Sequence, residues 1–126
     1  DLLTHLLSQP TSNNPQPFTH KEQVVLQFIQ SLVKHHTRER QVAFYAAEAG
    51  LSQRYFSSIV SERIGMTPMA IITLVTINNA KRLLCKKGML VKQVAEELGF
   101  PEQFTFRKYF KTHTGISPRE YQKMYQ

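Results

Sequence analysis

A pattern of about two dozen residues occurs twice in this chain, some fifty residues apart, and it narrows the possible folds more than any other feature. The first copy, AAEAGLSQRYFSSIVSERIGMTP, runs from Ala46 to Pro68, and the second, AEELGFPEQFTFRKYFKTHTGISP, from Ala95 to Pro118. Ala46–Gly50 matches Ala95–Gly99 at an offset of 49, and Gly65–Pro68 matches Gly115–Pro118 at an offset of 50. The second copy therefore carries one extra residue in its turn. Each copy alone is too short to bury much core, so the pair has to rely on packing against shared helices.

The sequence predicts helices throughout. Residues 1–9 have the amphipathic look of a helix end, and residues 10–17 (PTSNNPQP) read as a linker, with three prolines and no large apolar side chain. The chain begins without Met in mid-pattern, so residues 1–17 are expected to be the tail and linker of an upstream domain, with residues 18–126 forming the domain proper. Thr19 and Glu22 make a capping box, followed by Val24, Val25, Phe28, Ile29, Leu32 and Val33 at helical spacing as far as His35 or His36.

A short helix at about 41–49, a turn at Gly50 and a helix at about 53–64 make the first unit, about 41–65. Thr67-Pro68 then reads as an N-cap followed by proline at the first helical position. It opens a bridging helix to about Lys87, with Ile71, Ile72, Leu74, Val75, Leu83 and Leu84 on its buried side and Gly88 as its stop. The second unit, about 91–114, repeats helix, turn and helix at about 91–98 and 102–113. Ser117-Pro118-Arg119-Glu120 caps a closing helix. No stretch alternates with strand period. The expectation is an all-α fold of seven helices, with two helix-turn-helix subdomains joined by a long bridging helix.

A helix-turn-helix unit needs a small residue where its two helices cross, which Ala46 and Ala95 supply, and a left-handed residue at the turn, which Gly50 and Gly99 supply. Its second helix turns one apolar face inward: Phe56, Ile59, Val60 and Ile64 in one copy, Phe106, Tyr109 and Phe110 in the other. The opposite face is left for the major groove. One such pattern is common in ordinary helical hairpins. Two, on a chain with 16 Lys and Arg against 9 Asp and Glu and a pI near 9.8, point to a polyanion, double-stranded DNA. The charge is uneven: residues 1–17 have no Lys or Arg, whereas residues 81–126 have ten, against four Glu.

From about Val42 to Tyr125 the chain resembles the DNA-binding domain of the AraC family of bacterial transcription regulators. The motif residues are Val94-Ala95, Leu98-Gly99-Phe100, Phe106, Phe110-Lys111, Gly115, Ser117-Pro118 and Tyr121, with Ala80-Lys81-Arg82-Leu83-Leu84 in the bridging segment. The resemblance implies two helix-turn-helix units in successive major-groove segments, and it leans toward an activator, with RNA polymerase as a further partner. It also implies sensing and dimerisation in another domain, so the full protein is expected to dimerise through an upstream domain and the isolated fragment to be monomeric. A bridge of about 20 residues is roughly 30 Å long, near the ~34 Å between successive major grooves on one DNA face. The sequence departs from the family's usual pattern at Ile71 (Tyr), Thr76 (Arg), Leu90 (Ser or Thr), Phe104-Thr105 (Ser-Tyr) and Val60-Ser61 (Phe-Lys).

On the second recognition helix the residues left outward are Glu102, Gln103, Phe104, Arg107, Lys108 and Lys111. Arg107 and Lys108 suit guanine O6 and N7, and Gln103 suits adenine. Phe104 suits either a thymine methyl or packing into the turn, and Lys111 a phosphate. The first recognition helix offers Gln53, Arg54, Ser57 and Ser58, with Arg54 the strongest. Net charge is +1 over residues 53–64 and +2 over residues 102–113, so the second unit is expected to contribute more electrostatic affinity.

Nothing in the pattern calls for an enzyme, a cofactor or a metal. The five histidines form no metal-binding pair, there is no Gly-rich phosphate cradle, and Glu96-Glu97 reads as a solvated face. His35-His36 suits the negative end of a helix dipole. The single Cys85 excludes an internal disulfide, is expected to be a buried thiol beside Leu83 and Leu84, and fits a reducing cytoplasm. The longest apolar run, Met69–Ile77, falls far short of the roughly 20 residues that span a bilayer, so no membrane partner is expected. A different class of function, a helical protein-interaction module, would use that run as a docking surface.

Overall fold

A computed structural model describes residues 19–126; the helix expected at 1–9 and the linker expected at 10–17 lie outside them. Among the described residues there are seven helices and no strand. They are α1 (His20–His35), α2 (Val42–Glu48), α3 (Gln53–Ile64), α4 (Pro68–Leu84), α5 (Val91–Glu97), α6 (Gln103–Thr114) and α7 (Pro118–Tyr125). The chain forms two compact units. Of the described residues, the first comprises those up to His35 and Glu39–Ile71; the second comprises His36–Arg38 and Ile72–Gln126.

In the first unit α1, α2 and α3 close around Phe28. Its ring meets Tyr45 at 5.3 Å and Phe56 at 5.2 Å, both edge to face, the arrangement that aromatic quadrupoles prefer. Val25, Leu32, Ile59 and Val60 complete the core. The Tyr45 hydroxyl donates to the Glu39 carbonyl at 2.6 Å. Burial, with the charges of Glu39 and Glu48 adding to it, pushes its pKa up to about 12. The Thr19–Glu22 box forms as expected: Thr19 Oγ1 accepts from the Glu22 amide and Glu22 Oε1 accepts from the Thr19 amide, both at 3.2 Å.

The second unit packs Ile77, Ala80, Leu83 and Leu84 of α4 against Val94, Ala95, Leu98, Phe100, Phe106 and Phe110. Phe100 meets Phe106 at 5.3 Å, and Phe110 meets Tyr121 at 5.7 Å. The strap His36–Arg38 belongs to this unit. His36 is buried beyond the end of α1, and Asn79 donates to its Nε2 at 3.0 Å. Arg82 fixes the orientation of Asn79 by donating to Oδ1 through Nε and Nη2, at 3.1 and 2.6 Å. His36 thus lies against α4 in the second unit, in contact with Asn79.

Four expectations about burial need correcting. Leu74 is exposed and Val75 only half-buried, because the buried stripe of α4 runs through Ile72, Thr76, Ile77, Ala80, Leu83 and Leu84. Thr76 takes the core position that hydropathy gave to Val75, and its hydroxyl is satisfied by the Ile72 carbonyl at 2.8 Å. Val33 lies one step past the stripe of α1 and is 61% exposed. The bridging helix ends at Leu84 rather than near Lys87, which leaves Cys85 in the following turn and exposed, not buried.

Candidate nucleic-acid interface

The two helix-turn-helix units, α2–α3 and α5–α6, are built on the same local geometry. Ala46 and Ala95 are each 2% exposed where the helices cross. Gly50 and Gly99 turn the chain at φ of 70° and 74°. The following amides return to matching carbonyls, Leu51 to Ala46 at 3.1 Å and Phe100 to Ala95 at 3.0 Å. The extra residue of the second copy falls between this turn and the next helix. Ser52 is the N-cap of α3 and accepts from the Tyr55 amide, whereas Glu102 takes that place at α6 without a side-chain bond.

Phe106 and Phe110 anchor α6 with their side chains wholly buried. The helical period then carries Phe104, Arg107, Lys108 and Lys111 into solvent, along with Glu102 at the cap, while Gln103 is half-buried. Phe104 is 62% exposed, so it does not pack into the turn. On α3, Phe56, Ile59, Val60 and Ile64 face inward and Gln53, Arg54 and Ser58 outward, with Ser57 half-buried. Tyr55 is also outward on α3, at 46% exposure.

Electrostatically the units are unlike. Among the described residues the first holds five basic and four acidic side chains, and the second holds eleven basic and four acidic. Part of this excess gathers around an open groove of about 600 Å³ in the second unit. Lys92 reaches it from α5, Gln103 and Arg107 from α6, and Arg119 and Gln122 from α7. Lys92 and Arg119 escaped the sequence reading because they lie on neither recognition helix and come together only in the folded unit. Ser117 caps α7 beside the groove, accepting from the Glu120 amide at 3.1 Å. Its hydrogen bonds to the Glu120 carboxyl hold that group below the usual carboxylate range.

The apolar run considered as a docking surface is in part internal: Ile71, Ile72, Thr76 and Ile77 are buried, Thr73 and Val75 half-buried, and Met69, Ala70 and Leu74 exposed. Among the described residues no cluster of three or more His, Cys, Asp or Glu side chains is placed to hold a metal ion. Nor is any single described helix long and apolar enough to cross a membrane.

Residues 45–124, well over half of the chain, match the family described as a helix-turn-helix domain. The chain belongs to the AraC family of helix-turn-helix domains. This AraC-type domain is similar to the DNA-binding domain of AdpA, a global transcriptional factor, whose structure was solved in complex with a target DNA. The two are 26% identical with a TM-score of 0.70, over 80% of this chain and 91% of that one. The C-terminal domain of AraT, a response regulator from Geobacillus stearothermophilus, shares the fold at a TM-score of 0.72 and 23% identity, over 80% and 84% of the two chains. Among curated proteins, the AraC-type domain is 30% identical over 104 residues to YisR of Bacillus subtilis, an uncharacterized helix-turn-helix transcriptional regulator. It is 27% identical over 128 residues to LumQ of Photobacterium leiognathi, a probable transcriptional regulator. Those matches cover 82% and 93% of this chain but only 36% and 52% of the two relatives.

Proposed function

We propose that this chain is the DNA-binding part of a bacterial transcription regulator and binds double-stranded DNA with sequence preference. The observation that carries the reading is the AdpA domain, which shares this fold and was solved on its target DNA. The recognition helices are α3 and α6. Gln103, Arg107 and Lys108 reach base edges from α6, with Phe104 against a thymine methyl, Lys111 on a phosphate and Glu102 at the helix start. Gln53, Arg54, Ser57 and Ser58 serve the same face of α3. The basic excess of the second unit supports giving it the larger share of the affinity.

The two copies of the unit, built on matching turns and crossings, support the reading that the pair takes successive major-groove segments. Activation, contact with RNA polymerase and a cytoplasmic setting rest on the family. Dimerisation through an upstream domain rests on the Pro- and Asn-rich stretch at residues 10–17 and on the partial coverage of the relatives. Selection of bound duplexes from a random library tests the core of the proposal. Two enriched boxes about one helical turn apart are the expected result. A single box would restrict base reading to one helix, and no enrichment over random duplex would remove sequence preference altogether.

A further inference from the structure

The groove-lining positions of the second unit have counterparts in the first by the repeat, and none of those counterparts is charged. At the offsets of the repeat, Lys92 corresponds to Ala43, Arg107 to Ser57 and Arg119 to Met69, while Gln103 corresponds to Gln53 and Ser117 to Thr67. The scaffold elements agree in both copies: the buried alanine, the glycine turn, the buried phenylalanine and the Thr/Ser-Pro cap. The first copy builds that scaffold without any of the three cations. Their presence in the second copy is therefore not a requirement of folding.

Nor are they neutralised within the protein. Among the described residues none of the three is in an ion pair. No carboxylate lines the groove. Two of its polar groups are already engaged, Gln122 donating to the Met89 carbonyl at 2.6 Å and Ser117 capping α7. What remains for a ligand is a guanidinium from α7 and an ammonium from α5, beside Arg107 on the α6 wall of the groove. Guanidinium offers a planar fork that matches phosphate oxygens, and ammonium offers a mobile point charge. Like charges brought together in this way repel one another until an anion separates them.

We propose that this groove seats a phosphodiester of the DNA backbone, with Lys92 and Arg119 as its holding residues. The inference rests on the DNA-binding reading above and adds to it a phosphate contact that lies outside both recognition helices. Arg107 lines the groove and also faces outward on α6, so the seated phosphate fixes how far α6 can shift along the duplex. Lys92 and Arg119 thereby act as positioning residues: they carry no sequence information and set the register in which Gln103 and Lys108 meet the bases. The first unit, with Ala43 and Met69 in their places, has no equivalent anchor.

The test gives the second unit the first unit's residues. The 126-residue chain and its Lys92→Ala/Arg119→Met variant are titrated with a selected duplex and with random duplex over a range of salt concentrations. If one phosphate contact is lost, the slope of log K against log salt becomes shallower by about 0.9, and both duplexes lose affinity by the same factor. An unchanged slope overturns the proposal, as does a loss confined to the selected duplex, which would make the groove a base reader. The reciprocal Ala43→Lys/Met69→Arg variant is expected to steepen the slope, and it guards against mistaking a folding defect for a lost contact. Failure of the parent chain to bind any duplex would overturn the DNA-binding reading and the groove with it. Normal binding by both parent and exchanged variant would overturn the groove alone.

Discussion

In the first unit the turn glycine, Gly50, faces open space; a Cβ built on it would meet nothing within 4 Å. In the second unit the same turn, at nearly the same φ, lies under the strap, and a Cβ on Gly99 would come 1.9 Å from the Thr37 carbonyl oxygen. One copy needs glycine for its backbone angle only, and the other needs it for angle and space together. The contrast recurs in charge, which is close to balanced among the described residues of the first unit and strongly basic in the second. The two copies share the parts of the helix-turn-helix that set its geometry and differ in what surrounds that geometry.

If the scaffold is shared, its anchors should weigh alike. Phe56→Ala and Phe106→Ala, both wholly buried, are expected to cost about 4 kcal/mol each in urea unfolding. A large inequality would break the comparison at its base. The glycines should separate the units next. Gly50→Ala is expected to cost about 1 kcal/mol for the left-handed angle. Gly99→Ala should cost about 3 kcal/mol, because the strap must also move. Equal costs would mean that the strap yields freely.

DNA binding gives the third measure. Lys108→Ala is expected to cost about 1–2 kcal/mol of discrimination at one base position. Lys111→Ala should weaken selected and random duplexes alike and make the salt slope shallower by about 0.9. Equal losses on every sequence for Lys108→Ala would end its base-reading role. The smallest effect concerns α5. Gln93 Oε1 accepts from the Leu90 amide at 2.8 Å, but leucine has no oxygen to complete the capping box. Leu90→Ser is expected to raise stability by about 0.5–1 kcal/mol, read from the thermal unfolding midpoint.

What could be read from the sequence was what short stretches of chain determine. The seven helices follow from caps, prolines and glycines whose effects reach only a turn or so, as at Thr19, Thr67-Pro68 and Ser117-Pro118. Burial was misjudged where hydropathy and helical phase disagree. Val33, Leu74 and Val75 are apolar but out of phase with their stripes, while Thr76 is polar, in phase, and bonded to its own helix. Cys85 was misplaced because α4 ends before reaching it. The outward faces of α3 and α6 follow from the period of the buried residues between them. The strap over Gly99 and the groove at Lys92 and Arg119 depend on residues far apart in the chain, and no local pattern announces them.

The strap has a further consequence for how the protein can be made and divided. The chain contributes Thr37 to the second unit, returns to finish the first, and delivers Gly99 sixty-two residues later. During synthesis the strap emerges early and must wait for its partner, so the second unit reaches its final packing only after the first has had time to form. A fragment beginning at α4 would keep the recognition helix α6 but lack the segment that covers its turn and accepts the Asn79 hydrogen bond. The two halves repeat each other in sequence, yet no single cut between them yields two complete pieces.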